Sequence, residues 1–131
     1  MPEFKDLFQS ADWKQEKHIP VIEAEGKAKK GEFFSLKVSV GKEIPHPNTT
    51  AHHIRWIAVY FQAKGEKFLY ELGKFEFNSH GESTQGPDTS TVFSHPEVSL
   101  KFKTDKPGTI FASSYCNIHG LWQSFFGLEI E

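Results

Sequence analysis

Between Glu32 and Val40 the chain alternates, with Phe34, Leu36, Val38 and Val40 on one side and mostly polar residues on the other. A period of two suits a half-buried β-strand and rules out a helix with one apolar stripe. Residues 54–62, Ile-Arg-Trp-Ile-Ala-Val-Tyr-Phe-Gln, are β-branched and aromatic, as expected of a central strand. Ala63-Lys64-Gly65-Glu66-Lys67 then reads as a hairpin turn into residues 68–72. Further strands are expected at 75–77, 98–102, 109–113 and 125–130. Short strands divided by Gly- and Pro-bearing turns predict an all-β fold, an immunoglobulin-like antiparallel β-sandwich of about seven strands. Residues 1–12 read as a short N-terminal extension, with room for a helical turn around Glu3 to Gln9. The longest polar stretch, His80 to Ser90, reads as a surface loop.

The 131 residues suffice for one domain, 1–131, with a core that needs no metal or disulfide to hold it. A net charge of −2 leaves no broad basic face, so no nucleic-acid partner is expected. One cysteine cannot make an intramolecular disulfide, which suits a reducing compartment. The first residues lack the basic and apolar regions of a secretory signal, and no apolar run reaches the roughly 18–20 residues a bilayer span requires. The expected location is therefore cytoplasmic, with no membrane partner.

Three short clusters carry the chemistry: Glu16-Lys17-His18, then Pro45-His46-Pro47 followed by His52 and His53, and Cys116-Asn117-Ile118-His119-Gly120. In Ile44-Pro45-His46-Pro47 the prolines bias Ile44 and His46 toward extended backbone, so His46 is presented by a stiff loop. His52 and His53 open a predicted strand, where neighbours face opposite ways, so only one of them can share a site with His46. The pattern does not choose between them. Cys116 and His119 place a thiolate and an imidazole within one turn, a pairing that suits zinc, copper or iron. Glu16 and His18 form the weakest pair, while His80 and His95 have no ligand-like context. Loops at one end of a sandwich can converge on one point, which makes ligands nearly a hundred residues apart reasonable.

Ligand number bears on the metal. Structural zinc takes four ligands in a closed tetrahedron. Four histidines and one cysteine make five, with a sixth place open or filled by Glu16, which suits iron better. Type-1 copper needs one cysteine, two histidines and a weak axial ligand, commonly methionine, and the only methionine is Met1.

The segments 12–20 (Asp-Trp-Lys-Gln-Glu-Lys-His-Ile-Pro), 41–55 (Gly-Lys-Glu-Ile-Pro-His-Pro-Asn-Thr-Thr-Ala-His-His-Ile-Arg) and 114–122 (Ser-Tyr-Cys-Asn-Ile-His-Gly-Leu-Trp), in this order, resemble the superoxide reductases in their one-iron form, the neelaredoxins. His80-Gly81-Glu82-Ser83 also resembles that family, and the likeness runs from about Asp12 to the C-terminus. The resemblance implies one mononuclear iron, Fe2+ or Fe3+, with His18, His46, His52 and His119 equatorial and Cys116 axial, and so favours His52 over His53. It implies that Glu16 fills the sixth position in the oxidised state and that Lys17 guides the anion. The implied activity is one-electron reduction of superoxide to hydrogen peroxide, a defence against oxidative stress. A rubredoxin-type donor and a homotetramer are implied as partners. Related desulfoferrodoxins carry a further four-cysteine iron domain; its cysteines are absent here, so a second iron is not expected. Two other classes compete: an electron carrier of cupredoxin type, which leaves His18 and the Pro-His-Pro block unexplained, and a plain immunoglobulin-like binding module.

Overall fold

The inward-facing rows of two sheets meet in one apolar cluster, and that meeting determines where the ligand-bearing loops end up. The structure, a computed structural model, describes residues 1–24 and 27–131. A short 3-10 turn, Phe4–Leu7, lies where the sequence left room for it. Seven strands follow: β1 Pro20–Ala24, β2 Phe34–Val40, β3 Ile54–Ala63, β4 Tyr70–Glu76, β5 Glu97–Phe102, β6 Gly108–Cys116 and β7 Gly120–Leu128. They form a three-stranded sheet in the order β1-β2-β5 and a four-stranded sheet in the order β4-β3-β6-β7. Every strand pair is antiparallel. The all-β sandwich expected from the sequence is the fold found.

Alternation explains the packing. Leu36 and Val38 from β2, Ile57 and Val59 from β3, and Ile110 and Ala112 from β6 are almost fully buried between the sheets. Each large aliphatic side chain taken out of water there contributes about 1.5–3 kcal/mol. Ser114 and Cys116 continue the inward row of β6 and are fully buried, so strand parity aims the thiol inward at the end of the core.

Three departures from the expected strands have local causes. β1 was not anticipated: Pro-Val-Ile-Glu-Ala is short and opens on a proline, a residue tolerated at the first position of an edge strand. Residues 68–72 and 75–77 contribute to one strand, β4, whose pairing with β3 shifts register between Val59 and Tyr60. β7 begins five residues before the expected 125, because Gly120 pairs with Cys116 directly across the hairpin. The outer edge of β7 is met at its start by the N-terminal segment: Gln9 N–H donates to Leu121 O at 2.9 Å, and Gln123 N–H donates to Gln9 O at 2.9 Å. Among the described residues no helix is long and apolar enough to cross a membrane.

Candidate metal centre

All three sequence clusters arrive at one end of the sandwich. His18 lies two residues before β1 and is buried. His46 and His52 lie on the irregular connection between β2 and β3. Cys116 ends β6, and His119 sits in the three-residue loop that leads to β7 through Gly120, whose φ of +81° favours glycine. The opposite end carries a groove of about 940 Å³ lined by residues such as Gln62, Lys64, Pro107 and Leu128, and none of the candidate ligands borders it.

One donor atom from each of His18, His52, Cys116 and His119 lies within 4.8 Å of the other three. His18 Nε2 is 3.1 Å from His119 Nδ1, and Cys116 Sγ is 3.8 Å from that same nitrogen. His46 completes the group, its ring centroid 4.8 Å from those of both His18 and His52. His46 Nε2 and His52 Nε2 are buried and have no hydrogen-bond partner. Buried polar atoms without partners are rare and costly, and two of them converging on a thiol and two further imidazole nitrogens are what a metal ion would satisfy. The donor set of four imidazoles and one thiolate therefore fits a resident metal.

The far nitrogens are already committed. His18 Nδ1 is 2.6 Å from Glu16 Oε1, and His46 Nδ1 donates to the carbonyl of Pro47 at 2.6 Å. Protonating Nδ1 leaves Nε2 with its lone pair free, the tautomer a ligand needs. Burial pushes His18, His46 and His52 below the ordinary histidine range, with neighbouring imidazoles and Lys17 adding to the effect. His46 falls to about 4, so its ring is neutral at physiological pH and ready to coordinate. Burial works against the charged form of Glu16, but hydrogen bonds from the ring and backbone N–H of His18 outweigh it and hold the carboxyl below its usual range. Around the sulfur, His119 N–H approaches Cys116 Sγ at 3.4 Å.

Glu16 thus stands behind His18, on the nitrogen that faces away from the cluster. Lys17 is half-buried and belongs to none of the ion pairs among the described residues. Of the adjacent histidines, His52 joins the cluster while His53 turns away into the protein, stacking on His80 with ring centroids 3.5 Å apart and planes 4° apart.

Several supporting residues gave no signal in the sequence. Trp122 lies flat on His18, centroids 4.7 Å apart, and donates its indole N–H to His119 O at 3.2 Å. Asn117 ties the cysteine hairpin to the histidine loop: its Oδ1 accepts from His53 N–H at 2.9 Å and its Nδ2 donates to Ala51 O at 2.9 Å. An indole or an amide at these positions follows no periodicity, because the ring under Trp122 and the loop bonded to Asn117 lie about 65 to 105 residues away.

Fold and donor set together define a class, the antiparallel β-sandwich that gathers four imidazoles and one thiol at one end. Residues 10–125 match the desulfoferrodoxin family. The chain belongs to that family. It is 54% identical over 119 residues to neelaredoxin of Megalodesulfovibrio gigas, covering 91% of this chain and 92% of that one. It is also 54% identical over 124 residues to the superoxide reductase of Pyrococcus furiosus, covering 95% and 98%. The solved structure of the reduced superoxide reductase (neelaredoxin) of Archaeoglobus fulgidus superposes with a TM-score of 0.88 at 54% identity, over 94% of this chain and 98% of that one.

Proposed function

We propose that this chain is a superoxide reductase that reduces superoxide to hydrogen peroxide by one electron at a single iron, held by His18, His46, His52, His119 and Cys116. The observation that carries the reading is the convergence of two partnerless buried nitrogens, His46 Nε2 and His52 Nε2, on the group of His18, His119 and Cys116. When bound, the iron supplies the one-electron redox change. The rest is done by side chains. Trp122 and Glu16 fix the plane and tautomer of His18. The N–H of His119 steadies negative charge on the Cys116 sulfur. Four neutral imidazoles and one thiolate leave a divalent ion net positive, which favours an anionic substrate.

Lys17 adds a positive charge beside the site, the kind that steers anions and fades with ionic strength. Lys17→Ala is expected to slow the encounter with superoxide about tenfold at low salt and to flatten its salt dependence. Pulse-radiolysis rates equal to wild type across the salt series would reject that role. For Glu16 two roles compete: the present hydrogen bond to His18 Nδ1, and ligation of the oxidised iron, which would require that 2.6 Å contact to break. Glu16→Ala is expected to alter the spectrum of the ferric protein while leaving superoxide consumption within a few-fold. A ferric spectrum identical to wild type would exclude ligation.

The electron comes from a separate donor, for which a one-iron carrier of rubredoxin type is the proposal. A homotetramer in the cytoplasm completes the reading. Copper in a cupredoxin-like role is disfavoured because Met1, the only methionine, is fully exposed at the chain terminus. Purified protein should contain about one iron per chain and consume superoxide without releasing oxygen. Copper in its place, or oxygen evolution, would overturn the assignment.

A further inference from the structure

The loop that presents His46 and His52 has no regular secondary structure of its own, so its shape has to be set by what it rests on. It rests on the segment 77–94, which contains the polar stretch His80 to Ser90 expected to be a surface loop. His80 is the centre of that contact. Its ring is buried, with Nε2 donating to Phe77 O at 2.7 Å and Nδ1 3.1 Å from Asn48 Oδ1. The amide of Asn48 is held this way round because its Nδ2 donates to Ser94 O at 3.0 Å, so the contact of Nδ1 with Oδ1 is a hydrogen bond when the ring carries both protons. The same His80 ring stacks face to face on His53, whose Nδ1 donates to Thr49 O at 2.9 Å. A few residues on, Thr50 Oγ1 donates to the His80 carbonyl at 3.2 Å and Thr50 N–H donates to Asp88 Oδ1 at 3.0 Å. Asp88 returns the contact by donating its N–H to Thr50 Oγ1 at 3.1 Å, from a backbone held at φ +54°.

The contacts made by Asn48 and Thr50 cross 30 to 46 residues of sequence, and both residues lie between the two ligand histidines. His80 itself touches no ligand atom. A buried imidazole that served packing alone would be better replaced by an apolar ring, since its polar atoms carry a desolvation cost. We propose that His80 is a positioning residue of the metal centre, holding the ligand loop through Asn48 and His53 so that His46 Nε2 and His52 Nε2 are aimed before the ion arrives. A loop ordered in advance does not lose that conformational freedom on binding, so the effect falls on metal retention more than on the fold. The proposal rests on the reading of this site as an iron centre.

The test uses the iron(II)-loaded full chain, stripped by excess bathophenanthroline under anaerobic conditions, with the melting temperature of the metal-free form measured alongside. His80→Phe keeps an aromatic ring on His53 and removes both ring nitrogens, with their contacts to Phe77 O and Asn48 Oδ1. Asn48→Ala cuts the same tie from the loop side, at a half-buried position. Each variant is expected to lose iron about tenfold faster or more, the scale seen when outer partners of ligands are removed. The double variant should lose it no faster than the worse single one, because both act on one connection. If a variant melts lower without iron yet releases it at the wild-type rate, the residue is merely structural and the proposal is overturned. Multiplicative effects in the double variant would overturn it too. Should His80→Phe fail to fold, Asn48→Ala alone decides by the same criterion. A wild-type chain that takes up no iron overturns the iron reading and this proposal together, whereas a loaded wild type with unaffected variants overturns this one only.

Discussion

Cys116→Ser will remove the visible thiolate-to-iron absorption of the ferric protein and lower superoxide consumption by about 100-fold or more. The sulfur is the only thiol in the chain, so nothing else can take its place. It is fully buried, close to His119 Nδ1, and its direction follows from the inward parity of β6. A serine oxygen on a shorter bond is harder and is not deprotonated at neutral pH, so the centre loses both a ligand of the right softness and its negative charge. The fold should survive, because the change is nearly isosteric and the rest of the inward row of β6 is untouched. A metal-free variant melting within a few degrees of wild type would confirm that the loss is chemical. A ferric spectrum identical to wild type would remove Cys116 from the centre.

The second large effect is expected at Gly41, a residue with no donor atom of its own. This glycine closes β2 and opens the ligand loop with φ +91°, a region that side chains avoid. A Cβ placed there would lie 2.7 Å from His46 N and 3.4 Å from Pro45 Cα. Both obstacles are backbone, and Pro45 and Pro47 leave the loop little freedom to step aside. Gly41→Ala should therefore cost about 2–3 kcal/mol from strain and displace His46 from its place beside His18 and His52. Denaturant unfolding of the metal-free protein and the iron content after purification would show it. Wild-type stability together with a full complement of iron would mean that the turn does not set the position of His46.

The parts of the molecule that could be read from the sequence are those governed by short periods. Alternation in 32–40 identified β2, because one buried face imposes a period of two, while β-branched and aromatic composition at 54–62 identified β3, whose residues 57–59 are buried on both faces. β1 escaped because five residues opening on Pro20 give too short a pattern, and its pairing with β2 is what makes it a strand. The early start of β7 escaped for a similar reason: Gly120-Leu121-Trp122 has no clear alternation, and the hairpin with Cys116 supplies the register. At the site, residue chemistry marked Cys116, His119 and the Pro-His-Pro block; the strand parity expected to separate His52 from His53 does not act, because β3 starts at Ile54 and both precede it. What no local pattern could supply were the supports. Trp122 on His18, Asn117 across the two loops and His80 beneath Asn48 depend on contacts between segments that meet only after the sheets have packed.

The hydrogen bonds between Gln9 and β7 bear on which margin of the four-stranded sheet is left open. A sheet margin with unpaired amides and carbonyls invites the same margin on a neighbour. Here that margin runs beside the metal end, next to Trp122, and the N-terminal segment sits over its first residues like a selvedge. Trimming the chain past Gln9 would uncover main-chain groups within a few residues of His119, so strand-to-strand association would begin beside the redox centre and close off the approach of substrate.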